Sequence, residues 1–258
     1  MKEFLLNDIK AAGTTVGDVY FPQTKLLLPF DGANAATTTS DLSNNNVPVT
    51  FVGTSQISTA QSKFGGSSML FDGNSDYLTV NHSSFGSFAT STFTIEFWVY
   101  FNSISGRMTF ATNYSGGSNG IMIDKDSSHV LKLNLSGGGV DVIGTTTLTT
   151  GQWYHVAFSG SAGSYKLFLD GVQEGSTYTG STSTGSNTWQ LGAMYWSGSV
   201  DYPLNGYLDD VRFTDGIARY TSAFTPPAAA RVNVNITETK YISQIGGWDD
   251  TDVDYGIK

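Results

Sequence analysis

The sequence predicts an all-β fold of antiparallel strands packed as a sandwich or barrel, and three observations carry that expectation. The stretch "FTIEFWVYF" (93–101) alternates without a break. Phe93, Ile95, Phe97, Val99 and Phe101 share one face, and Thr94, Glu96, Trp98 and Tyr100 share the other. A period of two is what a strand with one packed face requires. Short apolar stretches of this kind recur at about the 8–12-residue spacing of a sandwich or barrel. The acids are lopsided, with Asp common and Glu confined to positions 3, 96, 174 and 238. Asp favours turns and caps, whereas Glu favours helices.

Each element follows from the same signals. "KLLLPFDG" (25–32) is a first strand ending at an Asp-Gly turn, and the Thr/Asn-rich loop "ANAATTTSDLSNNN" leads to a second strand in "VPVTFVG". "SSMLFDGNSDYLTVN" (67–81) holds two short strands around a tight connection. After "FTIEFWVYF" come "RMTFATN", "GIMIDKD" and "VLKLNLSG", separated by Gly, Ser and Asn. "QWYHVAFSG" is next, then "YKLFLDGVQEG", in which Asp170-Gly171 between alternating stretches predicts a type I′ hairpin. "TWQLGAMYW" and "GYLDDVRFT" close the set, and "GIARYTS" (216–222) is the one stretch that could form a short helical turn. Pro226-Pro227 marks a boundary. The chain therefore divides into an N-terminal arm (1–24), a β domain (25–230) and a C-terminal arm (231–258), in which Val232, Val234 and Ile236 alternate as a lone strand.

Charge and composition exclude several partners. The net charge of −9 comes without the basic stripe that nucleic-acid binding needs. An anionic membrane surface is a poor partner for the same reason, and no stretch approaches the ~20 apolar residues of a membrane helix. The start, "MKEFLLNDIK", has too short an apolar run for a signal peptide. Cysteine is absent, so disulfide and thiol chemistry are too. The expectation is a soluble protein made in a cytoplasm.

Five stretches, taken together, resemble the laminin-G-like branch of the concanavalin A-like jelly rolls: "SSMLFDGNSDYLTV" (67–80), "FTIEFWVYF" (93–101), "GQWYHVAF" (151–158), "YKLFLDGV" (165–172) and "NGYLDDVRFTDGIARYTSAFTPP" (205–227). They stand in the family's order and spacing. The last, with "ARYTSAFTPP", is similar to domains of tailed-bacteriophage virion proteins. The resemblance implies an antiparallel jelly-roll sandwich, a concave face used for glycans, and a structural calcium ion. It places the metal at Asp209, the first acid of "LDDVR", with Asp31, Asp41 and backbone carbonyls of the first turn as partners. Calcium takes about 6–8 oxygens, many from backbone and water, so few acids are needed. Strict alternation puts Asp209 on the side of Val211 and Phe213, and leaves Asp210 to pair with Arg212 or face solvent.

Catalytic signals are weak. Jelly-roll glucanases set two acids two or four residues apart on a strand, which places acid and nucleophile on one face. Glu96 has no such companion, and the sequence reads it as a surface or groove residue. "GGSNG" (116–120) matches a nucleophile elbow only formally, lacking the strand-turn-helix setting. "DTDVDYG" (250–256) resembles a calcium loop but has Tyr255 where the turn wants Gly. His82, His129 and His155 fall in separate segments, and His155 reads as a partly buried strand residue. Aromatics carry the binding expectation. Tyr195, Trp196 and Tyr202 lie in or beside a Gly/Ser loop, with Tyr114 as a fourth, and exposed Trp and Tyr are favoured in recognition surfaces. Trp98 and Trp153 read as packing residues.

The functional expectation is a non-enzymatic bacteriophage virion surface protein, a capsid decoration or tail-associated adhesin. It would bind host-surface glycan and associate with other virion proteins and with sister copies as a homo-oligomer. A free-standing glycan-binding module is the alternative, and a glycoside hydrolase stands behind both.

Overall fold

The computed structural model describes residues 18–81, 83, 92–114, 120–135, 141–161, 163–180 and 185–231. The lone strand expected at 232–236, the "DTDVDYG" stretch, His82 and most of "GGSNG" lie outside them. Two antiparallel sheets form the sandwich. The eight-stranded sheet runs β13 (Val172–Thr179), β12 (Ser164–Leu169), β11 (Trp153–Ser161), β6 (Phe93–Phe101), β17 (Asn205–Asp215), β4 (Ser68–Asp72) and β3 (Gln56–Ser58), with β1 (Thr24–Leu28) also on β17. The seven-stranded sheet runs β10 (Val142–Ile143), β9 (Leu131–Asn134), β8 (Met122–Lys125), β7 (Met108–Thr112), β14 (Thr188–Leu191), β5 (Tyr77–Asn81) and β2 (Val49–Val52). A two-stranded ribbon, β15 (Met194–Trp196) and β16 (Ser199–Asp201), stands apart from both.

The core lies between the sheets. Phe93, Ile95, Phe97, Val99 and Phe101 are all buried in it, as the alternation of β6 requires. Across the layer Phe97 meets Phe110 at 5.6 Å and Trp189 meets Phe213 at 4.8 Å between ring centroids. Each buried Phe of this kind contributes about 1.5–3 kcal/mol relative to exposure. The two strands of "SSMLFDGNSDYLTVN" form as expected, but in different sheets, so their Asp-Gly connection crosses the sandwich edge. Asp170 and Gly171 both take positive φ, 48° and 81°, the type I′ geometry expected of them.

Two local readings are corrected. "GIARYTS" is not helical. Its amides are spent on the sheet instead: Arg219 N donates to Thr94 Oγ1 (2.9 Å) and Tyr220 N to Ser159 Oγ (3.1 Å). Strict alternation also fails in "LDDVR". Asp210 takes φ 50°, and the register of β17 on β6 slips between Asp209 and Arg212. Such a bulge inserts one residue and resets which face follows. Asp209 therefore faces away from the core, opposite Trp98, on the same side as Arg212, opposite Glu96. Val211 and Phe213 stay in the core. The bulge sits where the other flank of β17 changes partner, from β4 (through Leu208) to β1 (from Val211).

Candidate functional site

The ribbon β15–β16 is fixed to the seven-stranded sheet by backbone and amide bonds. Gly192 N donates to Phe110 O (3.0 Å), Leu204 N to Gly192 O (2.7 Å), and Thr109 N to Tyr202 O (2.8 Å). The Gln190 amide clamps Tyr195 from both sides, accepting from Tyr195 N at 2.6 Å and donating to Tyr195 O at 3.1 Å. Gly192 has φ 90°, and a Cβ there would strike the Phe71 ring, so only glycine gives this close corner. The turn Ser197-Gly198 has φ 52° and 87°, the pair of positive values that a two-residue hairpin needs. Tyr202 is also held at positive φ, 53°. A non-glycine residue kept there is over-determined by its surroundings and is a pointer to function.

This corner presents Tyr195, Trp196 and Tyr202, which are 42%, 41% and 37% exposed where most large rings among the described residues are buried. Each is braced. Tyr195 stacks on Tyr77 at 5.7 Å and 13°, Trp196 meets Tyr114 edge-on at 5.6 Å, and Tyr202 carries the Arg107 guanidinium 4.4 Å from its centroid. All four rings expected from sequence thus gather around one ribbon. Sequence reading did not supply Tyr77 or Arg107, whose roles depend on strand pairing. Arg107 adjoins one end of β7 and Tyr114 the other, and the pairing of β15 with β16 sets Trp196 three residues along the ribbon from the level of Tyr202, about 10 Å by strand rise. Beneath Arg107 lies Asp124, fully buried and paired to the Arg107 Nε. Burial pushes the Asp124 carboxyl up to about 6 although Arg107 opposes it.

The outer face of the eight-stranded sheet is covered around Glu96, His155 and Phe168 by the chain itself. Residues 216–231 run across it as a strap, with Tyr220 and Phe224 stacked at 3.6 Å and Phe224 set against His155 and Phe168. Beneath it sits a charge cluster. Glu96 Oε1 accepts from Arg212 Nε (2.9 Å) and Nη2 (2.6 Å), while Oε2 accepts from Arg231 Nη2 (2.5 Å) and Tyr220 Oη (2.8 Å) and lies 3.2 Å from His155 Nε2. Glu96 is therefore not a surface or groove residue. Burial raises its carboxyl, but Arg212, Arg231 and His155 outweigh burial and hold it well below the usual carboxylate range. His155 is fully buried rather than partly so, and burial depresses its pKa despite Glu96. Asp18 pairs with Arg212 and Arg219 (2.9 and 2.7 Å), and Asp210 pairs with Arg231 (2.7 Å) rather than with Arg212 or solvent. Asp18 and Arg231 come from the segments that sequence reading assigned to the arms.

The three acids expected as metal ligands stand in different settings. Asp31 is exposed after β1. Asp41 has every lone pair engaged: Oδ1 accepts from Leu27 N (2.8 Å) and Ser43 N (2.9 Å), and Oδ2 from Ser43 Oγ (2.7 Å) and Val47 N (2.8 Å). It pins the loop after β1, a structural task. Asp209 Oδ2 accepts from Lys63 N (2.7 Å) and Phe64 N (3.1 Å), while its buried Oδ1 has no hydrogen-bond partner. Burial raises this carboxyl to about 7, the behaviour of an acid kept neutral. Among the described residues no group of three or more His, Cys, Asp or Glu could hold a metal ion.

Comparison with known proteins agrees with this architecture. Residues 72–219 match the family described as the concanavalin A-like lectin/glucanases superfamily. The chain belongs to that superfamily. No match was found among curated proteins. Domain 4 of AbnA, a GH43 extracellular arabinanase from Geobacillus stearothermophilus solved in complex with arabinotriose, is similar with 22% identity and a TM-score of 0.59, covering 75% of this chain and 93% of that one. A structure reported under the statement that cell entry of botulinum neurotoxin type C depends on interaction with two ganglioside molecules has 14% identity and a TM-score of 0.53, covering 76% and 48%. The binding domain of botulinum neurotoxin DC with rat synaptotagmin II has 14% identity and a TM-score of 0.56, covering 83% and 50%. This lectin-type chain thus spans about half the length of the toxin chains, and at these identities the likeness concerns the fold.

Proposed function

We propose that this concanavalin A-like chain is a non-enzymatic glycan-binding protein, and that it serves on the surface of a bacteriophage virion as a capsid decoration or tail-associated adhesin. The observation that carries the binding reading is the aromatic ribbon: three partly exposed rings, each braced by a neighbour, with Tyr202 held at positive φ. Rigid rings cost little entropy on binding and are the side chains that dominate recognition surfaces. Neighbours of the same fold are described with arabinotriose and with gangliosides, which supports a sugar as ligand. The non-enzymatic reading is supported by Glu96, the glutamate of the central strand β6. It lies under the strap, engaged by two arginines, a histidine and a tyrosine, where no glycosidic oxygen could reach it. The virion reading is supported by the similarity of "ARYTSAFTPP" to phage virion domains.

The test is direct. Saturable binding of the isolated protein to an oligosaccharide panel, reduced at least tenfold by Trp196→Ala, is expected. Binding that survives Tyr195→Ala, Trp196→Ala and Tyr202→Ala together would remove the ribbon as the site. Recovery of the chain in purified, tailed particles by mass spectrometry separates the virion role from a free-standing module. The latter reading is favoured by the arabinanase domain, 93% of whose length is matched.

A further inference from the structure

We infer that the aromatic ribbon selects uncharged sugars and rejects acidic ones, an inference that rests on the glycan-binding reading above. A carboxylated or sulfated sugar needs a cation or a cluster of free N–H donors to replace its hydration. The described residues of the seven-stranded sheet and its flanking loops carry three cations, Arg107, Lys125 and Lys132. All three are already committed. Arg107 pairs with Asp124 through Nε, directs Nη2 at Met122 Sδ (3.1 Å), and lays its plane on Tyr202. Lys125 is fully buried and donates to the carbonyls of Ile104 and Gly106, both at 2.5 Å. Lys132 is 3.0 Å from Asp126.

The acids on this side outnumber those cations. Asp76, Asp124, Asp126, Asp141 and Asp201 belong to the same sheet, ribbon and connecting loops. The whole chain adds a net charge of −9. An anionic sugar approaching the ribbon would meet a repulsive field with no free cation to offset it. Tearing Arg107 away to serve it would strand the buried Asp124 charge, a cost of the unpaired-charge kind that outweighs one surface contact. A neutral ring asks for none of this. Its C–H face stacks on Trp196, Tyr195 or Tyr202, and its hydroxyls remain in water or meet neutral donors and acceptors.

The experiment is a binding titration of the full chain with two oligosaccharide series at 0.01 M and 0.15 M salt. One series is neutral (glucan, mannan, galactan and arabinan oligomers) and the other acidic (sialylated, uronate-containing and sulfated). The screening length falls from about 30 Å to about 8 Å between these conditions. Binding of at least one neutral series is expected, with affinity changing less than about twofold with salt and falling at least tenfold in Trp196→Ala. Preferential binding of an acidic series that Trp196→Ala abolishes would overturn the selectivity while leaving the ribbon as a glycan site. Failure of both series to bind would overturn the two readings together.

Discussion

Replacing Arg231 by methionine tests whether the strap is held by charge. Methionine keeps an unbranched stem in the channel under the strap but removes the guanidinium. The cluster beneath contains three acids, Asp18, Glu96 and Asp210, and three arginines, Arg212, Arg219 and Arg231, joined by ion pairs of 2.5–2.9 Å. Arg231 and its two acidic partners are nearly inaccessible, at 5%, 0% and 1% side-chain exposure. Removing one partner of a buried pair typically costs about 3–5 kcal/mol, because the remaining charge stays out of water. Here Asp210 loses its cationic partner, and Glu96 keeps Arg212, His155 and Tyr220. The lower half of that range, about 3 kcal/mol, is the reasoned figure. For a domain of this size about 2–4 °C of Tm accompanies each kcal/mol, so Arg231→Met should melt roughly 6–12 °C lower by calorimetry. A chain ending at residue 230 should behave alike. The double variant Arg231→Met with Asp210→Asn should recover at least about 1 kcal/mol relative to additivity. A loss under 1 kcal/mol, or strict additivity of the two changes, would show that packing of the strap rather than its charge holds it.

Further outcomes follow from the same geometry. Asp209 has a folded pKa of about 7 against an ordinary 3.8; a raised value favours the protonated acid, so its stabilisation is full below about pH 4 and is lost as pH rises through 7. Asp209→Asn should therefore flatten the fall in stability between pH 5 and 8, read by urea unfolding, and a slope equal to wild type would refute the assignment. Glu96 and Asp18 are shifted the opposite way, so their contribution holds at neutral pH and is lost only as pH falls through their depressed values, giving an acid limb that Glu96→Gln should reduce, Asp18 supplying the remainder. Gly192→Ala forces a Cβ against Phe71 at a positive φ and should cost about 1–3 kcal/mol, with weakened sugar binding; unchanged Tm and affinity would mean the corner is not tight. If a calcium ion completes the shell of Asp209, whose buried Oδ1 has no hydrogen-bond partner, a chelator should lower Tm; an unchanged Tm, with no calcium in elemental analysis, would remove the site.

Most of the fold was legible because burial of one strand face imposes a period of two, and β6 shows it over nine residues without interruption. The elements missed were those too short to carry a period: β3, β10 and the second strand of the ribbon have three, two and three residues. The two-sheet assignment of β4 and β5 was also beyond reach, since a tight turn between strands reads alike whether it makes a hairpin or crosses a sandwich edge. At the site, the four rings could be named because Tyr and Trp amid Gly and Ser have no regular face to bury. Tyr77 and Arg107 could not, because pairing across β5, β14 and β7 brings them to the ribbon. The error at Asp209 has a specific cause. Alternation assumes an uninterrupted strand, and Asp210 in the left-handed region inserts one residue out of phase. Two adjacent Asp in an apolar strand were the available sign, since Asp tolerates that region better than most residues.

That bulge resolves how two neighbouring carboxylates survive in a buried strand, and it separates the two faces of the molecule. Asp209 turns its carboxylate to the amides of Lys63 and Phe64, and its raised pKa keeps it neutral in acid and near-neutral solution. Asp210 draws Arg231, which ties the strap over Glu96. The carboxylates of Glu96 and Asp210 are thereby satisfied internally, as burial demands. On the opposite sheet the chain does the reverse: it folds a short ribbon outward, braces each ring from behind, and engages the nearby cations with local partners. On the proposed reading the covered stretch around Glu96 offers a ligand nothing, and the braced rings offer contact with an uncharged sugar. The division of labour between the sheets follows from where the bulge falls in β17.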